Sequence, residues 1–411
     1  MAGESENRER VRTLAATESE LTSAPGVDPP PRRPAPMPDS RWRSARTLTI
    51  VRRSAITAWA LALLYWFSRV GITFDRNTLL FYICTGLIAA SIGRRRTLYV
   101  LRDWLPFAAV LLVYDLSRGA ADALGRPTEW HLQLDFDRNL FGGTEPTVWL
   151  QSHLKEPFPP WWETGVSLVY VSYFLAPWAV AGVLWLRDRQ AWRRFAFRFV
   201  TISFIGLAGF IAFPAAPPWA ASQCTAAEVA GGPSDPPCIE AKVGTLTTGG
   251  MLGKVNPSHG GAAAYAERIG TRGWNKLGIP QAKALIDEGQ AGSNQVAAVP
   301  SLHAAISALL TVFFWPRVRR RWRPLLAGYA LAMAFALVYS AEHYVFDILL
   351  GWLVTAVVSI AFTCWERRNQ DRAAEPVAPA ASGAGEKPLA ATDTLKGPLP
   401  GRPEMEKRSA R

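Results

Sequence analysis

The chain is poor in cysteine, with four in 411 residues, which excludes a disulfide-dense scaffold. Histidine is nearly as scarce at five, and His131, His153 and His259 stand singly, without the spacing of metal ligands. Large apolar side chains are almost missing from both ends. Residues 1–45 are rich in Glu, Arg, Ser and Pro and hold no apolar run long enough for a signal-peptide core. Residues 369–411 are mostly Ala, Pro, Gly and Lys, and cannot bury enough surface to offset the entropy of ordering. Both ends are expected to be disordered tails. Disorder throughout is excluded in turn, because 17 Trp, 19 Phe and 10 Tyr carry too much aromatic surface. No cofactor-binding loop is visible.

What the sequence does hold is concentrated between the tails. Eight stretches, near 54–72, 77–93, 98–117, 163–186, 196–214, 302–316, 325–341 and 344–365, are apolar enough to span a bilayer, which takes roughly 20 helical residues. A buried soluble helix accounts for any one of them but not for eight. The expected fold is an all-α polytopic membrane protein of about eight transmembrane helices. Two N-terminal helices occupy 46–97, and a membrane domain occupies 98–368 with long loops at 118–162 and 215–300.

The formal charge of +12 admits a nucleic-acid partner, a membrane surface, or loops retained in the cytoplasm. The arginines decide among these. They cluster at 41–53, 94–96, 187–194, 317–323 and 367–372, which is every second connection between apolar stretches. Basic residues in short loops stay cytoplasmic, so both termini are expected inside the cell membrane and the two long loops outside it. Nucleic-acid binding fails, because the arginines alternate with spans instead of forming one stripe. Cys84 and Cys364 fall inside spans, whereas Cys224 and Cys238 share the second outer loop, where an oxidising compartment permits a disulfide; two free thiols are the alternative. Trp161, Trp162 and Trp219 fall where an interfacial aromatic belt is expected.

The two remaining histidines differ from the other three. His343 and Asp347 lie one helical turn apart at the start of the eighth stretch and so share a face. A carboxylate there can hold one imidazole nitrogen protonated and leave the other as nucleophile or base; a helix-capping pair is the alternative. Pro300-Ser301-Leu302-His303 opens the sixth stretch. The free amides of a helix's first turn, with the Ser301 hydroxyl, can cradle an anion beside His303; Ser301 as a simple cap is the alternative. The chain runs inward along the sixth stretch and returns along the seventh, which brings His343 back to the side of His303.

Pro-Ser-Leu-His, followed at 343–347 by His-Tyr-x-x-Asp, resembles the type 2 phosphatidic acid phosphatase superfamily, and the Leu between Ser and His resembles its inositol phosphorylceramide synthase branch. Tyr114-Asp115-Leu116-Ser117-Arg118-Gly119 and Phe213-Pro214-Ala215-Ala216-Pro217-Pro218-Trp219 are similar to elements of that branch's bacterial members. The resemblance implies a phosphatase-type helical bundle. In it His343 attacks phosphorus to form a phosphohistidine, Asp347 orients His343, His303 protonates the departing oxygen, and Ser301 holds phosphate oxygens. Two superfamily elements are missing: Gly119 stands where a Lys should precede Arg126-Pro127, and Ala336-Leu337 replace a Ser-Arg pair. A phosphoryl transition state still needs fixed cations, for which Arg118 is the first candidate and Arg126 the second; for Arg118, snorkelling to headgroups or a pair with Asp115 is the alternative.

The implied scheme calls on no metal and no cofactor. The substrate it implies is a lipid or isoprenoid phosphate, met at the outer face, with water or a hydroxyl as acceptor. A transporter is the competing class. It calls for ionisable residues near helix midpoints and an internal repeat, and neither is visible.

Overall fold

The computed structural model describes residues 39–70, 76–93, 97–123, 126–240, 249–277 and 298–374. The described residues form no strand, only one isolated bridge between Glu129 and Ala215. In chain order the helices are α1 (Asp39–Val70), α2 (Arg76–Ser91), α3 (Thr97–Ala123), α4 (Leu132–Leu140), α5 (Pro146–Leu154), α6 (Trp161–Arg187), α7 (Arg189–Ala212), the single turn α8 (Pro218–Ala221), α9 (Leu302–Phe314), α10 (Arg323–Tyr339) and α11 (Val345–Ala374). The eight apolar stretches fall on α1, α2, α3, α6, α7, α9, α10 and α11. Five segments, Arg46–Arg69, Trp161–Arg187, Arg189–Ala212, Arg320–Tyr339 and Val345–Arg372, are long and apolar enough to cross a membrane, and Phe81–Ser91 and Leu302–Phe314 are shorter apolar helices. A bilayer offers no water to backbone amides, so such runs must close their own hydrogen bonds as helices.

Three boundaries differ from the sequence reading. Helix α1 begins at Asp39, within the first tail, and α11 runs to Ala374, past residue 368, because its polar last turns from Glu366 to Arg372 continue the same hydrogen-bond ladder. The stretch 118–162, read as a loop, holds the end of α3 and the short helices α4 and α5, whose nine residues each are too few for a clear periodic signal. Residues 1–38, 71–75, 94–96, 124–125, 241–248, 278–297 and 375–411 lie outside the described residues, and with them the arginine cluster at 94–96. The chain divides at Phe362 into two compact units, and the described part of the second is the end of α11.

Within the first unit, α7 packs on α3, α6 and α9, and α10 packs on α5, α6 and α9. Trp104 and Phe107 of α3, Trp178 and Trp185 of α6, Trp192, Phe195 and Phe199 of α7 and Phe313 of α9 share one core. Several of their rings meet edge to face, as in the Phe107–Trp178 pair with centroids 5.9 Å apart, while Phe195 and Phe199 are stacked. The opposite faces are apolar as well: Leu61, Leu325, Leu331, Leu353 and Ile360 are more than half exposed. A soluble helix would put polar side chains there, so this pattern belongs to lipid.

Two close approaches set the start of α9. A methyl at Gly351 of α11 would run into the Ser301 carbonyl oxygen, and one at Gly209 of α7 into the Pro300 ring. Glycine at these places lets Pro300 and Ser301 settle against both helices. Thr355 Oγ1 then donates to the Ala305 carbonyl at 2.7 Å, tying α11 to α9 a turn further along.

The segment after α7 forms a strap across this end of the bundle. Ala298 N–H donates to the Ala215 carbonyl at 3.1 Å, and Trp219 N–H donates to the Ala341 carbonyl at 3.0 Å. Glu129 brackets the strap from the other side: its N–H donates to Pro214 and its carbonyl accepts from Ala216. Cys224 and Cys238 are joined as a disulfide beside the strap, their Cα atoms 5.3 Å apart, in an apolar cluster with Trp130, Trp219 and Ala341. Trp219 is therefore buried in protein rather than placed in an interfacial belt, because it packs under the turn that leads to α11. Trp161 is largely exposed, and Trp162 packs on Tyr339 with centroids 5.0 Å apart.

Candidate active site

Helix α10 ends in a tight turn. Glu342 N–H and His343 N–H both point back to the Leu337 carbonyl, at 3.0 and 3.3 Å, and Ala341 just before them takes a left-handed φ of 60°. That conformation, at Ala341 just ahead of Glu342, is costly for a residue with a Cβ, and the Trp219 hydrogen bond to Ala341 helps hold it. The chain then enters α11 with His343 and Tyr344 just ahead of the first turn.

Asp347, fully buried, has two tasks in that turn. Its Oδ2 accepts from the Tyr344 N–H at 3.0 Å, the reciprocal half of a capping box, and lies 3.3 Å from Nδ1 of His343. With Nδ1 protonated, the ring donates to this oxygen and leaves Nε2 with its lone pair. The two readings of the pair, cap and orienter, are thus both present in one side chain. Asp347 Oδ1 is buried without a hydrogen-bond partner among the described residues.

Asp137 of α4 completes the start of α11. It is fully buried, and its carboxylate accepts from the N–H groups of Val345 at 2.8 Å and Phe346 at 3.0 Å. A carboxylate from a distant helix therefore fills the place of an N-terminal cap. Burial, and secondarily the neighbouring Asp347, push its pKa up to about 6 against the pull of the two backbone bonds. Nearby, Glu145 caps α5 through Val148 N–H at 2.6 Å, and burial lifts its pKa to about 7.

Ser301 is buried and caps α9, its Oγ accepting from Ala304 N–H at 3.3 Å, while its own N–H donates to the Asp347 carbonyl at 3.1 Å. The two motifs are thus joined through their backbones. His303 follows in the first turn of α9. It stacks on Tyr170 at 5.2 Å and lies against Tyr173 at 4.0 Å and Phe174 at 5.7 Å, all from α6. Its Nε2 is buried without a hydrogen-bond partner among the described residues. The imidazole of His343 stands 5.6 Å from that of His303, centre to centre, inclined at 56°. One ring is held by a carboxylate and the other by an aromatic box.

The candidate cations are placed less simply. Arg118 lies on α3, but its side chain falls outside the described residues. Arg126 is exposed and donates to the Ala212 carbonyl at the end of α7, at 3.4 Å. The sequence reading missed Arg268, which forms a bidentate pair with Glu342, the residue before His343, at 2.8 and 3.0 Å. The only hint in the sequence is Glu342 itself, a carboxylate beside the motif that calls for a counter-charge. A cavity of about 570 Å³ lies beside the first turns of α11, lined by Phe141, Trp149, Phe335, Val345, Ile348 and Trp352 among other apolar groups.

The PAP2 superfamily profile matches residues 134–362, from α4 through most of α11. The chain is also similar to the phosphoinositol dihydroceramide synthase of Bacteroides thetaiotaomicron, at 25% identity over 256 residues, which cover 60% of this chain and 71% of that protein. No solved structure matches.

Proposed function

We propose, from the premise that this chain belongs to the PAP2 superfamily, that it works through a phosphohistidine on a lipid or isoprenoid phosphate at the outer face of the cell membrane. At the coarser level it is a membrane enzyme of lipid phosphatase or phosphotransferase type. The observation that carries the finer reading is the His343–Asp347 pair facing His303 within the matched region.

In this scheme His343 Nε2 attacks phosphorus, a P–N bond forms, and the P–O bond to the leaving alcohol breaks. His303 gives its proton to the departing oxygen. Asp347 holds Nδ1–H and stabilises the imidazolium-like product, and Ser301, with the first amides of α9, holds phosphate oxygens. In the second half His303 takes a proton from the acceptor hydroxyl, whose oxygen attacks phosphorus as the P–N bond breaks. A polyol or lipid hydroxyl gives transfer, and water gives hydrolysis. The name of the Bacteroides relative favours transfer of a phospho-alcohol headgroup. The apolar cavity beside α11 has the size and lining that an acyl or isoprenoid chain needs, starting within two residues of His343.

The test is turnover by the purified protein on labelled phospholipids and isoprenoid phosphates, with acid-free quenching to trap phosphohistidine. Native protein should carry label on His343, and His343→Ala should carry none and turn nothing over. Full turnover by His343→Ala would end the scheme. Arg118→Ala, if well expressed and still fully active, removes that residue from the list of cations.

A further inference from the structure

The site as described has a nucleophile, an acid and anion-binding amides, but it lacks the cations its superfamily brings from the two missing motifs. Gly119 and Ala336-Leu337 stand at those places. We infer that Arg268, from the loop between α8 and α9, is the cation that meets the substrate phosphate, with Glu342 fixing the plane of its guanidinium. This rests on the phosphate chemistry proposed above.

The case begins with how firmly the loop is tied down. Fully buried Gln151 of α5 donates to the Glu267 carbonyl at 2.8 Å and accepts from Glu267 N–H at 2.9 Å. Lys155, also fully buried, pairs with Glu267 at 3.1 Å and donates to the Tyr265 carbonyl at 2.7 Å. Arg272 takes Glu163 of α6 in a bidentate pair and donates to the Glu156 carbonyl at 2.9 Å. Arg268 therefore projects from a backbone anchored on both sides, so its position relative to His343 is set by the fold.

Its own contacts then aim it. The guanidinium lies over the Trp219 ring, 5.0 Å from the centroid, and forks onto Glu342 through Nε and Nη2. Glu342 is 8% exposed and the Arg268 side chain 36% exposed, so the cation is the more accessible partner of the pair. Through Glu342 it is joined to the residue that precedes His343. A guanidinium carries five N–H donors, so one that forks onto a carboxylate can also meet a phosphate oxygen. Among the described residues, Lys155 and Arg272 pair with Glu267 and Glu163, and Arg138 donates to the Met251 and Leu252 carbonyls.

The competing role for Arg268 is a latch that only holds the turn at Glu342. Two variants separate the roles by opposite signs. Arg268→Gln keeps a donor for Glu342 and a stem over Trp219 but loses the charge. Glu342→Gln keeps the cation and removes the negative charge beside it. Binding of labelled orthophosphate to the detergent-solubilised full chain is the readout, and it needs no turnover. Arg268→Gln should weaken it by about tenfold or more, and Glu342→Gln should tighten it a few-fold, as expected for unit charges close to the ligand. His343→Ala, measured in parallel, should still bind orthophosphate, so loss of turnover and loss of the phosphate site are read separately. Native affinity in Arg268→Gln would overturn the assignment, and so would equal weakening in both variants, which marks a latch. If no lipid phosphate is ever turned over, these binding results still decide the role of Arg268.

Discussion

Asp137→Asn probes the device that holds the start of α11, next to His343, the proposed nucleophile. In the native chain both carboxylate oxygens accept backbone N–H bonds, from Val345 and Phe346. Asparagine keeps one acceptor and turns an NH₂ toward the other amide, so one charge-assisted bond is lost, worth about 2 kcal/mol. Against this, a carboxyl whose pKa climbs from 3.8 to about 6 disfavours the charged form by about 3 kcal/mol at neutral pH, a burden the neutral amide does not carry. That burden is already net of the two backbone bonds, so global stability should not fall at neutral pH and should rise by up to about 3 kcal/mol. Turnover should not be spared, because misplacing a nucleophile by roughly 1 Å can cost up to about a hundredfold. We therefore expect kcat to drop at least about tenfold, with a smaller change in KM.

Acid should mimic the substitution. Protonating Asp137 below about pH 6 removes the same acceptor, so native kcat should rise with pH through that region and the variant should lack that limb. The stability contribution runs the other way. A pKa raised in the fold contributes stability that is fully present below the unfolded value of 3.8 and is lost as pH rises through about 6. Glu145 titrates near 7 in the same neighbourhood, so Glu145→Gln is the control that assigns the limb. The assays are pH–rate profiles and tryptophan-monitored unfolding in detergent. A variant with native kcat and an unchanged acid limb would refute the positioning argument.

Other outcomes follow from packing and cross-linking. Gly351→Ala puts a methyl against the Ser301 carbonyl, and overpacking of this kind costs about 1–3 kcal/mol; melting should fall, and kcat should fall with it because α9 carries His303. An unaltered melting point and rate would show that the α9–α11 approach is slack. Reducing the Cys224–Cys238 bridge, or replacing it by Cys224→Ser, should lower stability by about 3 kcal/mol, since it closes a loop of 14 residues; intact-protein mass after alkylation without reductant reports whether the bond is present.

The spans were legible in the sequence because a bilayer forces every long apolar run into a helix, whatever its neighbours are. The His343–Asp347 pair was legible for an equally local reason, a one-turn spacing at the head of such a run. The aromatic box around His303 was not, because Tyr170, Tyr173 and Phe174 meet it only when α6 packs against α9. Asp137 and Arg268 were hidden in segments that read as loops. Their roles depend on long-range bonds, to Val345 and Phe346 in one case and to Glu342 in the other. Trp219 misled for the same reason: an aromatic beyond a span suggests a belt, and nothing nearby in sequence shows that Ala341 will take its N–H.

The strap that bonds to Ala298 and Ala341 gives the site a ruler of its own. Spanning helices tilt when the hydrocarbon thickness around them changes. Two histidines fixed only by α9 and α11 would then drift relative to each other as the membrane thinned or thickened. Here both approach segments are registered on the same short stretch of backbone between Ala215 and Trp219, and Ser301 is bonded to Asp347 besides. The helices can lean without changing the distance between the two imidazoles. Turnover in vesicles of short and long acyl chains should accordingly follow how substrate reaches the site, with the proposed phosphohistidine step keeping its rate.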